Sequence, residues 1–131
     1  MLSYVSFISL LGFFSFSEPK EITPKILFSG FIYETAPFPS CHASTLVETS
    51  DGILAAWFGG TYERHPDVSI YASYRKNGGW STPALVADGI ENKVFRNPTW
   101  NPVLHRKKDG EIVLFYKEGP NPREWWGHYK D

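Results

Sequence analysis

The chain has 131 residues and a formal net charge of −1, so it offers one modest hydrophobic core and no electrostatic reason to expect nucleic acid or an anionic membrane as a partner. Its hydrophobic content of 42% and charged content of 21% exclude a disordered chain. Five Trp, seven Tyr and ten Phe, beside eleven Gly and ten Pro, favour a turn-rich β protein, and most of these rings are expected in the core.

The first 25 residues are interpreted as a leader and a linker. Residues 4–17 form an apolar run without charge, too short for a transmembrane helix but typical of the apolar part of a signal peptide. No Lys or Arg precedes this run and no clear cleavage site follows it, so a cytoplasmic chain with an apolar N-terminus stays an alternative. We expect a signal peptide over 1–17, a linker over 18–25, and a secreted or periplasmic protein whose folded domain is 26–131.

The rest of the chain alternates short apolar runs with turns. Each run has the length of a β-strand and is rich in β-branched or aromatic residues. The runs are 26–34, 44–49, 53–60, 68–74, 83–88, 101–105 and 111–119. Asp-Gly and Asn-Gly steps in TSDG, RKNGG and KKDG are typical of hairpin turns. No segment has an amphipathic helical period of useful length, so the sequence predicts an all-β fold.

An internal repeat organises these strands. Aligning Gly52 with Gly110 superimposes two Asp-Gly hairpins, and the same offset of 58 residues places Tyr71 on Tyr129. A fixed period of about four short strands is typical of a propeller blade, and closed propellers have about four to eight blades. The chain therefore predicts about two blades of an incomplete propeller, the N-terminal part of a larger protein, ending where the third strand of the second unit should begin.

The stretch APFPSCHASTLVETSDGILAAWFGGTYERHPDVSIYASYRKNGGWSTP, followed by RNPTWNPVL, LFYKEGP and WWG, resembles the sialidase-like proteins with BNR (Asp-box) repeats. These are six- or seven-bladed propellers, so the resemblance implies about two blades of a sialidase-like β-propeller. SYRKNGGW (73–80) matches the Asp-box at Ser73, Gly78 and Trp80 but lacks its Asp. In the family such boxes are structural hairpins away from the active site.

The resemblance gives His42 a role. True sialidases carry, about ten residues before a glycine turn, the first of three arginines that bind the substrate carboxylate with a bidentate guanidinium. Ten residues before Gly52 this chain has His42. Imidazole binds a carboxylate poorly but serves as a general base or acid near pH 7. Related polysaccharide lyases and a rhamnosidase-type hydrolase use histidine in the site, so the resemblance implies that His42 is catalytic or substrate-binding. A histidine that only caps the inner strand is the alternative.

The other candidate site residues come from the same comparison. The acid/base aspartate of sialidases follows the next strand, where the count reaches Asp67 as a catalytic candidate, with Glu63 and Arg64 competing for the place and a solvated loop as the alternative. Near and along the second unit's inner hairpin, the proposed roles are carboxylate pairing, sugar stacking and anion contact. The substrate-binding candidates are Arg64, Arg96, Trp100, Asn101 and Lys117.

The resemblance implies a carbohydrate-active enzyme, with an exo-glycosidase that hydrolyses terminal sugars as the leading interpretation. The Tyr–Glu pair and the other two clamp arginines of a sialidase are expected beyond residue 131, and these residues alone are expected to be inactive. A lyase acting on uronic-acid polymers with a His base, and a non-catalytic glycan-binding propeller, are the alternatives. A carbohydrate is the expected partner. The spacing of the four histidines predicts no metal, and no phosphate-binding loop or other cofactor motif is found.

Overall fold

The computed structural model describes residues 23–131, so the predicted signal peptide and most of the linker lie outside the described residues. Eight strands and no helix occur within that range. The strands are β1 (Ser40–Glu48), β2 (Ile53–Gly60), β3 (Ser69–Lys76), β4 (Gly79–Trp80), β5 (Ala84–Ala87), β6 (Thr99–Arg106), β7 (Ile112–Glu118) and β8 (Trp126–Lys130). The predicted all-β fold class is confirmed. The described residues include no helix with the length and apolar character needed to span a bilayer.

The first sheet has the arrangement of a four-stranded blade. Strands β1, β2 and β3 pair in antiparallel order, and β4 and β5 pair with different ends of the far edge of β3. The predicted Asp-Gly turn joins β1 to β2, with the Thr49 amide donating to the Gly52 carbonyl at 2.9 Å. A side chain at Gly52 would collide with the Arg75 carbonyl, so glycine is required there.

The second sheet repeats the first in the order β6-β7-β8. Its hairpin register carries the predicted offset, because Trp57 pairs with Tyr71 and Phe115 pairs with Tyr129. The expectation that the chain ends before the third strand of this unit is wrong. β8 is present, and it pairs with β7 over five residue pairs.

The hydrophobic core lies between the two sheets. Ala56 and Ile70 from the first sheet are fully buried against Leu104 and Leu114 from the second. Strands β1 and β6 lie next to each other, and the Leu104 amide contacts the Thr45 hydroxyl at 3.4 Å. The two blade-like sheets do not close into a ring within the described residues. They match the predicted part of an incomplete propeller.

The predicted strand over 26–34 is wrong. This segment carries no strand; its Ile32 and Tyr33 pack on the outer face of the first sheet, where the Tyr33 ring stacks on Trp57 at 5.2 Å. The edge of β1 to which it would pair is beside β6 instead. Side-chain packing across a sheet face therefore replaces the ladder that the β-rich composition indicated.

The degenerate Asp-box forms an ordinary hairpin. Asn77 and Gly78 have φ of 51° and 85° at its corner, and the Ser73 hydroxyl donates to the Ser81 carbonyl at 2.7 Å. Trp80 packs against the cluster that contains Trp57. All these contacts hold the turn to the sheet, as expected for a structural box.

Candidate functional site

Both sheets carry a β-bulge near the start of their first strand. In β1 the pairing shifts between His42 and Thr45, and in β6 it shifts between Trp100 and Val103. The first extra residue of each bulge has a positive φ without being glycine: 54° at Ala43 and 40° at Asn101. Bulges and such strained residues concentrate next to binding sites. The end of the sheets where β1 and β6 begin, hereafter the bulged end, is therefore the candidate site.

The bulges define how the two units correspond. His42 and Trp100 are the last paired residues before the bulges, so they are equivalent, and Asn101 corresponds to Ala43. The predicted match of Lys117 with Gly59 is wrong by one position, because Lys117 pairs with Trp100 just as Phe58 pairs with His42. The turn between β6 and β7 (107–111) is one residue longer than that between β1 and β2 (49–52), which accounts for the difference.

A row of rings connects the two sheets at the bulged end. This aromatic row runs from His42 to Phe58 (5.6 Å between centroids), on to Trp100 (6.2 Å), and on to Trp125 (5.7 Å), each pair edge to face. The Lys117 ammonium lies 4.3 Å from the centre of the Trp125 ring, which is a cation–π contact. An imidazole thus begins the row and an ammonium ends it.

Trp100 is a core residue rather than a sugar-stacking one. It is 1% exposed, and its indole N–H donates to the Gly119 carbonyl at 2.9 Å. Neither ring face is open to a ligand, so the expected stacking on a sugar is corrected to packing. The sequence placed the indole in the right region, but its depth depends on Phe58 and Trp125, which come from distant parts of the chain.

Asp67 is held rigidly at the end of the loop between β2 and β3. The Thr61 amide and hydroxyl donate to its two carboxylate oxygens at 3.0 Å and 2.6 Å, and His65 Nδ1 lies 2.7 Å from Oδ1. Partial burial works to raise the pKa of Asp67, but the hydrogen bonds from Thr61 and His65 outweigh it and hold the pKa below its ordinary value. The carboxylate is therefore ionised at neutral pH.

His65 was not among the predicted site residues. Its Nδ1 must carry a proton, because a nitrogen 2.7 Å from an ionised carboxylate oxygen has to be a donor. Nε2 is then a free acceptor, which is the arrangement by which an aspartate orients a catalytic imidazole. The signal was the His-x-Asp spacing in ERHPD, which the histidine spacing considered for metals did not include.

Arg96 supports this loop. One of its terminal nitrogens, Nη2, donates to the Asp67 carbonyl at 2.9 Å and to the Ser69 hydroxyl at 2.6 Å. Its Nε is buried and makes no hydrogen bond within the described part of the chain. The guanidinium therefore fixes the backbone around Asp67, and its fork is not free to pair with a substrate carboxylate as the sequence predicted.

A second polar cluster lies behind the row and was also not predicted. The buried Glu118 carboxylate lies 3.4 Å from Asn97 Nδ2 and 3.4 Å from His128 Nε2. The His128 ring stacks on Tyr116 at 5.3 Å. Burial, with the charges of Glu118 and Asp88, raises the pKa of Tyr116.

The structure distributes the predicted residues over three surface hollows. His42 lines one of about 430 Å³ with residues 30–33, and Asn101 and Lys117 line another of about 340 Å³ on the outer face of the second sheet. Arg64 lines a cleft of about 450 Å³ with the loop between β7 and β8. Residues 23–131 bring together no group of three His, Cys, Asp or Glu side chains able to hold a metal ion.

Two antiparallel sheets that repeat with matching bulged first strands define a blade-repeat β protein. The family model described as "BNR repeat-like domain" matches residues 51–130, more than half of the chain. The chain therefore belongs to the BNR repeat-like family, in the sialidase/BNR group of proteins. No curated protein and no solved structure matches it.

Proposed function

We propose that this is a secreted or periplasmic carbohydrate-active protein that binds a terminal sugar of a glycan or polysaccharide at the bulged end and hydrolyses its glycosidic bond. Membership of the BNR repeat-like family supports the substrate class. The observation that carries the proposal is the aromatic row, which puts His42 and the Lys117 ammonium at the two ends of one rigid platform. Aromatic and polar groups together are what sugar sites require.

Asp67 is the proposed acid/base group. A general acid needs a proton, and Asp67 is ionised in the free protein. Its side chain is 38% exposed, so a sugar that covers it removes water and raises its pKa toward the operating pH. His65 orients the carboxylate from one side, and Arg96 fixes its backbone from the other. His42 contacts the sugar or assists proton transfer.

A lyase is the second candidate, and His42 in the clamp-arginine position favours it. A lyase base removes the proton next to a uronate carboxylate while a cation neutralises that carboxylate. His42 and Lys117 have this chemistry but line different hollows, so the uronate would have to bridge the row. A glycan-binding protein without turnover is the third candidate.

The test measures binding and turnover with the full chain. Binding is the primary readout, using calorimetry with a set of terminal monosaccharides. Turnover is measured as free sugar released from methylumbelliferyl glycosides, and as ultraviolet absorbance of a new double bond in a uronic-acid polymer. The variants are His42→Ala and Asp67→Asn. Their matched controls are His105→Ala on the far end of β6 and Asp109→Asn in the distal turn.

Each outcome selects one candidate. Released sugar that is lost in both site variants and kept in both controls supports the hydrolase. A new double bond that depends on His42 replaces it with the lyase. Binding that depends on His42 without either product leaves a glycan-binding protein. Absence of all three in the unaltered chain contradicts a carbohydrate site at the bulged end.

A further inference from the structure

A cleft separate from the hollow at His42 lies between two loops at the bulged end. One loop joins β2 to β3 and the other joins β7 to β8. The cleft measures about 450 Å³. Its lining residues are Arg64, Asn121, Pro122, Arg123 and Glu124. It shares the bulged end with His42, because Gly60, which precedes the first loop, pairs with Ser40, and Glu118, before the second, pairs with Thr99.

Arg64 is held in an unusual backbone conformation. Its φ is 78°, in the left-handed region that a long side chain rarely adopts. The loop around it is closed by two backbone hydrogen bonds of 3.0 Å, from His65 to Tyr62 and from Val68 to His65, and by the Asp67 contacts. Strain of this kind persists where the surrounding structure fixes a side chain for a purpose. The loop thus presents Arg64 to the cleft at a backbone cost.

Arg123 lies on the facing loop, where Asn121 organises the turn. The Arg123 amide donates to Asn121 Oδ1 at 3.0 Å, and Asn121 Nδ2 donates to Glu124 Oε2 at 2.8 Å. Glu124 is therefore the one carboxylate lining the cleft, and an amide already occupies one of its oxygens. Over residues 23–131, neither guanidinium comes within 4.0 Å of a carboxylate. The cleft has two cationic groups facing one anionic group.

We infer that this cleft is an oxyanion subsite, in which Arg64 and Arg123 bind a carboxylate or sulfate substituent of the glycan held at the bulged end. Two guanidiniums on opposite walls suit such groups, because each presents a planar fork of donors that matches two oxygens. Carboxylate and sulfate share this chemistry. The inference rests on the proposed function, and it adds that the ligand is acidic and that the charge is read by the loops rather than by the strands.

The experiment compares acidic and neutral sugars on the full chain by calorimetry. The probes are glucuronic acid against glucose, N-acetylglucosamine 6-sulfate against N-acetylglucosamine, and inorganic sulfate alone. Arg64→Gln and Arg123→Gln are each expected to weaken binding of the acidic probes about tenfold or more, and to leave the neutral sugars unchanged. Arg106→Gln, at the opposite end of β6, is the charge-matched control and is expected to bind as the unaltered chain. Higher salt should weaken only the acidic probes.

The outcomes separate the subsite from the proposed function. Unchanged acidic-probe binding in both arginine variants, alongside loss in His42→Ala, overturns the subsite and keeps the sugar site. Sulfate binding that needs both arginines, in a chain that binds no sugar, keeps the anion cleft and overturns the carbohydrate function. Preference for one acidic sugar over the other identifies carboxylate or sulfate as the group recognised. Arg64→Lys, which keeps the charge but loses the fork, should fall between the Gln variant and the unaltered chain.

Discussion

His42 and Trp100 occupy the same position in two successive blade-like sheets, yet one is exposed and the other is 1% exposed. Each is the last paired residue before a bulge in the first strand of its sheet. Trp100 lies between Phe58 and Trp125, whereas His42 contacts Phe58 on one side only. The same backbone geometry therefore presents a functional group in one unit and a packing group in the other.

Replacing Trp100 should destabilise the whole fold. Trp100→Ala removes a buried ring that joins the two sheets, and a loss of about 3–5 kcal/mol in the free energy of unfolding is expected. Urea denaturation followed by tryptophan fluorescence gives the measurement. Trp126→Ala, in which the lost ring is 48% exposed, is the control and should cost far less. Equal losses in the two variants would mean that the row does not hold the sheets together.

Gly60 should tolerate no side chain. A Cβ atom there would lie 2.6 Å from Asp67 Oδ1 and 2.9 Å from Val68 Cα. Gly60→Ala must displace the Asp67 carboxylate and lose its contacts with Thr61, so we expect about 1–3 kcal/mol of destabilisation and reduced ligand binding. Gly127→Ala in β8, where nothing lies within 4 Å, is the matched control. Thermal unfolding of both variants is sufficient, and a Gly60 variant as stable as the control would contradict the packing described.

The lowered pKa of Asp67 predicts a contribution to acid stability. Because the folded-state pKa is below the ordinary value of 3.8, the ionised carboxylate stabilises the fold above that value, and this stabilisation is lost as the pH falls through the folded-state pKa. Urea midpoints at about pH 7 and about pH 3 measure the loss. Asp67→Asn should show a smaller drop between the two, and Asp109→Asn should behave as the unaltered chain. An identical drop in all three proteins would show that Asp67 makes no such contribution.

Tyr33 should titrate well above the other phenols. Burial, followed by the hydrogen bond from its hydroxyl to Cys41 Sγ at 3.0 Å and the thiol charge, raises its pKa to about 12. A raised folded-state pKa means that the neutral phenol stabilises the fold fully below about pH 10, and that this is lost as the pH rises toward 12. Spectrophotometric titration of Tyr33→Phe should lack the most alkaline phenol. Cys41→Ala should lower the pKa only in part, since burial remains.

The strands and their repeat were predictable because their signals are local. Asp-Gly at 51–52 and 109–110 predicts both hairpin turns, and the offset of 58 residues predicts the shared register of Trp57 with Tyr71 and Phe115 with Tyr129. The third strand of the second unit was missed because five residues, 126–130, give too short a pattern.

The site was predictable only as a region. His42, Asp67 and Lys117 do lie toward the bulged end, as the resemblance implied, but their contacts depend on residues distant in the chain. Arg96 reaches Asp67 across 29 positions, and no sequence pattern indicates that its fork is used by the loop. The one-residue bulges likewise have no sequence signature, because Ala43 and Asn101 are not the residues expected at positive φ in a strand.

The two bulges also bear on how such a protein changes over evolution. The backbone repeats at His42-Ala43-Ser44 and at Trp100-Asn101-Pro102, where no residue is shared. Shape at this edge is therefore specified by the rest of each hairpin, and the exposed positions 42 and 101 are free to exchange side chains without refolding. A duplicated blade can acquire new chemistry at this edge one substitution at a time.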